Sequence, residues 1–275
     1  MLFPFSFIQS TQIQPLLDLY PSATVAYSLR KLRTAYSGNA IRVRRTDLTE
    51  QNIGFTAAGD LDTAALLSFV GTGATDNGFI VTWYDQSGNA NNATQSNAIY
   101  QPQIVSAGSI LLLNSKPSIK FDGVNDYLPI TAITPASQNF NTFVGKRSAS
   151  GDILAGLLGA QYVLQLYSNN FYGIQMAIGA SSGYNQSTAT DTTTDRLLLT
   201  GLRESGVMKI YKNNNLIPSS FTTATLANSI NSIGQYVAVP YYIKCSLQEI
   251  VYYNTAQETN RIGIETNINS YYGVY

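Results

Sequence analysis

The chain is predicted to be all-β: one sandwich with short helices near its N-terminus and a helix at its C-terminus. Three observations carry that expectation. From Phe79 onward, short runs rich in Val, Ile, Tyr and Phe alternate with clusters of Gly, Asn, Asp and Ser, the spacing of strands joined by tight turns. No internal repeat at a fixed period and no interdomain linker divides the 275 residues, a length that supports one sizeable core. Charged residues make up only 12%, about half of the roughly 25% usual for soluble domains. Asn, Gln, Ser, Thr and 19 Tyr must therefore keep the surface wet.

Residues 1–21 carry Pro4, Pro15 and Pro21 among apolar residues. Proline interrupts both helix and central strand, so an extended arm over 1–21 is expected ahead of a single domain at 22–275. Its Phe3, Phe5, Phe7 and Ile8 would be a liability if left in water; they dock on a neighbouring subunit or cover their own sandwich. Ser22 as N-cap, with Val25, Ala26, Leu29, Leu32 and Tyr36 at spacings of three and four, predicts an amphipathic helix over Ala23 to Tyr36, stopped at Gly38. Ile41 to Arg45 alternates as a strand. Asp60 or Asp62 caps a short helix through Leu66 and Phe69 that closes at Gly71.

Strands are expected at Phe79 to Tyr84, Ser118 to Phe121, Tyr162 to Tyr167 and Tyr172 to Ile178. A meander follows: Leu197 to Leu202, Val207 to Lys212, then Leu216 and Ile217, with turns at Glu204 to Gly206 and Asn213 to Asn215. Leu247 to Tyr253 is the last core strand. Thr255 and Glu258 form a capping box for a helix carrying Arg261, Ile262, Ile264, Ile268 and Tyr271.

Zero net charge gives no long-range field toward nucleic acid. Arg30, Lys31, Arg33, Arg42, Arg44 and Arg45 do crowd together, as a solvated face or as a docking patch for an acidic partner. The absence of histidine removes Ser-His-Asp and Cys-His catalysis and the commonest zinc ligand. Cys245 reads as a small buried hydrophobe. No window reaches 18 consecutive apolar residues, so no membrane insertion is expected. No Lys or Arg precedes Arg30, which argues against a secretory signal. No cofactor is expected.

Trp83-Tyr84-Asp85-Gln86-Ser87-Gly88-Asn89 places the sole tryptophan at a strand end before a turn. Asp85 and Gly88 make it a rigid turn. The alternative is a loop in which Trp83, Asp85, Gln86 and Asn89 contact glycan or calcium. Phe121-Asp122-Gly123-Val124-Asn125-Asp126 is a second such turn, with a calcium site at Asp122 and Asp126 as its alternative. Tyr167, Phe171, Tyr172, Tyr184, Tyr236, Tyr241 and Tyr242 supply rings for sugar faces, and Tyr172 and Tyr236 complete the candidate glycan contacts. Glycosidic cleavage needs two spaced carboxyl groups, and after Asp126 the chain offers only Asp152, Asp191, Asp195, Glu204, Glu249, Glu258 and Glu265. Glu249 shares a strand face with Leu247 and Val251 and has no evident partner.

Phe121-Asp122-Gly123 with Asp126-Tyr127-Leu128, the Ile210-Tyr211-Lys212-Asn213-Asn214 hairpin, and Gln248 to Asn254 resemble the signposts of concanavalin-like and laminin-G-like jelly rolls. Ala26 to Arg45 followed by Tyr84 to Asn89 resembles the opening of the arabinofuranosidase B catalytic domain, itself a concanavalin-like sandwich. That family's nucleophile is a glutamate on a mid-chain strand, whereas the comparable stretch here, Gln161 to Leu166, holds no carboxylate. Its acid is an aspartate after an Ile-Gly pair, and Ile233-Gly234 here is followed by Gln235-Tyr236. The arrangement, including Ile264 to Gly273, is also similar to sandwich domains in virion proteins of phages that infect Bacteroidetes.

These resemblances imply a non-enzymatic virion protein, such as a head fibre, spike or decoration protein. It would be assembled in the host cytoplasm, with the arm on other virion proteins, homo-oligomeric with a trimer as one arrangement, and its loops on cell-surface glycan. The alternatives are a secreted or surface carbohydrate-binding module and an arabinofuranosidase-type glycoside hydrolase with relocated carboxylates.

Overall fold

The computed structural model describes residues 13–159, 164–166, 169–178, 181–224, 229–236 and 241–275. Phe3, Phe5, Phe7 and Ile8 lie outside them. The predicted all-β sandwich is observed. Its larger layer is a thirteen-stranded sheet whose main path runs from Asn215–Leu216 through Val207–Lys212, Leu197–Glu204, Asn139–Arg147, Lys244–Tyr253, Ile119–Asp122, Gln103–Ser106, Gly78–Trp83 and Ile41–Arg45 to Glu50–Ile53. Opposite lie a three-stranded sheet (Leu128–Ile133, Ile230–Ile233, Leu157–Gly159) and a five-stranded one (Leu154–Ala155, Leu164–Leu166, Tyr172–Ile178, Ser181–Ser187, Ser219–Ala224).

Between the layers sits the principal core, which includes Trp83, Phe121, Phe143, Leu164, Leu166 and Ile250. Cys245 is fully buried there opposite Phe121, and burial pushes its thiol pKa up. A second apolar cluster covers the outer face of the large sheet, joining Leu16, Leu17 and Leu32 to Phe140, Val144, Val251, Tyr253, Ile264 and Ile268. The described part of the arm thus covers its own sandwich. Leu16–Leu19 forms a short helix, not extended chain, and Leu16 is completely buried.

Ala23 to Tyr36 is not a helix. Val25–Ser28 is a strand buried at every position and paired with Lys244–Tyr253; helical spacing of apolar residues does not distinguish a strand covered on both faces. The predicted helix through Leu66 is Thr63–Val70, with Asp62 as N-cap accepting from the Ala65 amide at 2.9 Å and Gly71 at the C-cap. The last helix is Arg261–Tyr272, its N-cap Asn260 making no side-chain cap, so Thr255 and Glu258 precede it and do not box it. No helix among the described residues is long and apolar enough to cross a membrane.

Candidate functional site

The strand Ile230–Ile233 ends at Gly234, whose φ of +103° and proximity to Asp126 require glycine: a Cβ there would stand 2.7 Å from the Asp126 carbonyl oxygen. The chain then returns as a hairpin. The Ile243 amide donates to Gly234 O at 2.9 Å, the Tyr236 amide to Tyr241 O at 3.0 Å, and Gln235 pairs with Tyr242. Side chains alternate along extended backbone, so Tyr236 leaves one side of the hairpin and Gln235 and Tyr242 the other.

On its side, the Tyr236 hydroxyl donates to Oε1 of Gln165. Gln165 lies between Leu164 and Leu166, which point into the core, and alternation sends its side chain to the opposite face. It is fully buried, and its Nε2 has no hydrogen-bond partner among the described residues. These residues, 71 positions apart in the chain, come from the two stretches in which the resemblance seeks a nucleophile and an acid. An amide and a phenol recognise hydroxyl groups well but are poor agents of proton transfer near neutral pH.

On the other side, Gln235 Nε2 donates to the Tyr242 hydroxyl at 3.1 Å. The Tyr242 ring centroid is 6.4 Å from that of Tyr127, which in turn is 5.5 Å from Tyr100. Tyr127 follows the Asp122–Asp126 turn. Asp122 Oδ1 accepts the amides of Val124 and Asn125 at 2.8 and 3.2 Å, and Asp126 Oδ2 accepts the amide of Asp122 at 2.9 Å. Burial, and next the charge of Asp122, push the Asp126 carboxyl up to about 7. Among the described residues no group of three or more His, Cys, Asp or Glu is placed to hold a metal ion.

Of the six residues expected to contact glycan, only Tyr236 reaches this region. Trp83 is fully buried against Tyr27, so no ring face is open to a sugar. Asp85 accepts the amides of Ala26, Ser87 and Asn91 at 2.9, 2.9 and 3.1 Å. Gln86 accepts the amide of Leu32 and donates to Ser28 O and Arg30 O. Asn89 Nδ2 donates to Ala23 O and Thr24 O. These groups hold the turn and the strand beside it. The Tyr172 ring is buried, and its hydroxyl donates to Asp191 at 2.7 Å. Tyr100, Tyr127 and Gln165 were not singled out from sequence. The signal for Tyr127 is its place directly after an Asp-Gly turn; Gln165 lies in a stretch where the resemblance implies a carboxylate and none is present.

No protein-family model matches the chain, and no curated protein matches it. Solved structures do. An arabinofuranosidase complexed with arabinofuranosyl-α-1,2-xylobiose superposes with a TM-score of 0.63 at 14% identity, over 90% of this chain and 62% of its own. A GH54 α-L-arabinofuranosidase soaked with a cyclic sulfate inhibitor gives 0.63 at 13%. A glutamine variant of a GH54 enzyme soaked with 4-nitrophenyl α-L-arabinofuranoside gives 0.64 at 14%, with the same coverages. The chain therefore spans 62% of the length of these proteins, and at such identity the likeness establishes the fold. It also corrects the expectation of a non-enzymatic virion protein: the solved structures that superpose on 90% of this chain include arabinofuranosidases. That expectation weighed two missing carboxylates above the scaffold around them, which conforms to the arabinofuranosidase B resemblance across both halves of the chain.

Proposed function

We propose that the chain is a carbohydrate-active enzyme of the arabinofuranosidase type, which takes a sugar at the hairpin that begins at Gly234, where Gln165 meets Tyr236 and where Asp126 approaches Gly234. The observation that carries the reading is that meeting itself: two distant segments converge on a scaffold shared with arabinofuranosidases, and a buried amide donor there lacks a partner. A sugar hydroxyl supplies one.

In this reading the proton-transfer groups lie at other positions than the resemblance implies. Asp126 is the proton donor, since a carboxyl titrating at about 7 still carries its proton in mildly acidic and neutral solution. Asp152 is the second carboxyl group. It stands three residues before Ala155, which pairs with Gln165, and its buried Oδ2 has no hydrogen-bond partner. Its Oδ1 is 3.6 Å from Nζ of Lys244; the stem of Lys244 packs on Gly123 in the turn that holds Asp126.

Nitrophenol release from 4-nitrophenyl α-L-arabinofuranoside tests this directly. Activity should fall as pH rises through about 7, because ionisation of Asp126 removes the donor. Asp126→Asn and Asp152→Asn should each lower kcat by roughly 100-fold or more. No release by the intact protein, or release indifferent to both substitutions, sinks the proposal.

A further inference from the structure

Resting on the carbohydrate reading of the neighbouring face, we propose that the row Tyr242, Tyr127 and Tyr100 is a platform for an extended, uncharged polysaccharide chain. The three rings succeed one another at centroid spacings of 6.4 and 5.5 Å, tilted by 48° and 43°. They form a strip wider than one sugar ring. All three are half-buried.

The strip is held before any ligand arrives. The Tyr127 amide donates to Tyr100 O at 3.0 Å, Gln95 Nε2 donates to Tyr127 O at 3.2 Å, and Gln235 fixes the Tyr242 hydroxyl. The backbone that carries Tyr100 and Tyr127 and the side chain of Tyr242 are thus ordered in advance. The hydroxyls of Tyr100 and Tyr127 bond to no described residue. Close to Tyr100 and Tyr127 in the chain, Ile99 and Val124 are exposed by 63% and 68%. Apolar surface gathered in this way marks an interaction site.

The chemistry of the strip selects the occupant. A sugar chain offers apolar ring faces edged by hydroxyls, the complement of phenol rings with polar tips. Gln235, the polar group set into the row, is a neutral amide, and the whole chain is uncharged overall; neither favours an ionic partner. The row also adjoins the proposed site, because Tyr127 directly follows Asp126, the proposed proton donor.

Native gel electrophoresis in soluble arabinoxylan provides the test, with the full chain and its Tyr100→Ala and Tyr127→Ala variants. The intact protein should be retarded, and each substitution should weaken binding roughly tenfold, the loss expected for one stacked ring. Turnover of 4-nitrophenyl α-L-arabinofuranoside, too short to reach the strip, should change far less. Tyr127→Phe, which keeps the ring, should bind nearly as well as the parent and guards against a folding defect. Because Trp83 is wholly buried, tryptophan emission should stay constant while the tyrosine ultraviolet difference spectrum responds. Equal retardation of parent and alanine variants overturns the proposal. So does an intact protein that arabinoxylan does not retard, or a dimer that the same substitutions dissociate. Row-dependent retardation without nitrophenol release upholds the strip and sinks the catalytic reading.

Discussion

The carboxylate of Glu249 has no contact with water, yet it accepts from Nε and Nη2 of Arg30 at 2.8 and 3.0 Å, from Ser28 Oγ at 2.7 Å and from the Tyr272 hydroxyl at 3.2 Å. Four donor atoms from three residues close around one buried charge, and Arg30 is itself only 4% exposed. Removing one member leaves the other charge without a partner in a dry interior. Arg30→Met or Glu249→Leu alone should therefore cost about 3 to 5 kcal/mol. The double substitution should cost less than either, since neither charge then remains. Urea unfolding midpoints would check this; a double variant as unstable as the sum of the singles would show that packing, not charge pairing, dominates. None of this was legible from the strand. Glu249 was expected on the face of both Leu247 and Val251, but the register slips at Gln248, with Leu247 opposite Gly145 and Glu249 opposite Val144. The bulge turns Leu247 into the inner core and leaves Glu249 with Val251 outside. Its partner lies 219 residues away in sequence, beyond any local pattern.

Among the elements, the turn Trp83 to Asn89 was legible because its chemistry is local: Asp85 bonds the amide of Ser87 two residues on, and Gly88 takes a φ of +103°. The segment it braces was misread. Val25–Ser28 and the irregular chain after it carry apolar residues at helical spacing, but their backbone groups are satisfied from outside. The side chain of Gln86 accepts from the Leu32 amide at 2.8 Å and donates to Ser28 O and Arg30 O at 3.1 and 3.0 Å. One amide thus stands in for a neighbouring strand where none passes. Gln86→Ala should strand those buried groups and cost about 2 to 4 kcal/mol, while Gln86→Glu should do no better, since a carboxylate cannot donate to the two carbonyls. Thermal unfolding of the two variants distinguishes this from simple loss of packing, which would spare Glu. The candidate site was half-legible for a related reason. Tyr236 and the tyrosines around it were visible as residues, but which of them face one another is decided by the hairpin at Gly234 and by its approach to Asp126.

At the scale of the molecule, the large sheet is covered on both faces, and the strand Lys244–Tyr253 serves both. Leu247, Ile250 and Tyr252 point into the sandwich, while Val251 and Tyr253 join Leu16, Ile264 and Ile268 on the outside. The first described residues and the C-terminal helix are fastened together there. Tyr253 donates to Tyr20 O at 2.6 Å, Asn267 Nδ2 to Gln14 O at 2.8 Å, and Asn114 Nδ2 to Tyr272 O at 2.9 Å. If the outer layer were an appendage, weakening it would release the ends and leave the sandwich standing. A shared strand predicts otherwise. Leu16→Ala and Ile268→Ala remove buried side chains from the outer cluster, each at about 2 to 5 kcal/mol. Both should lower a single unfolding transition seen at the same midpoint by far-ultraviolet dichroism and by fluorescence of Trp83, which reports only the inner core. A dichroism change that precedes the tryptophan signal in either variant would mean that the two cores melt separately, and that the described part of the N-terminal arm is held by the sandwich without helping to hold it.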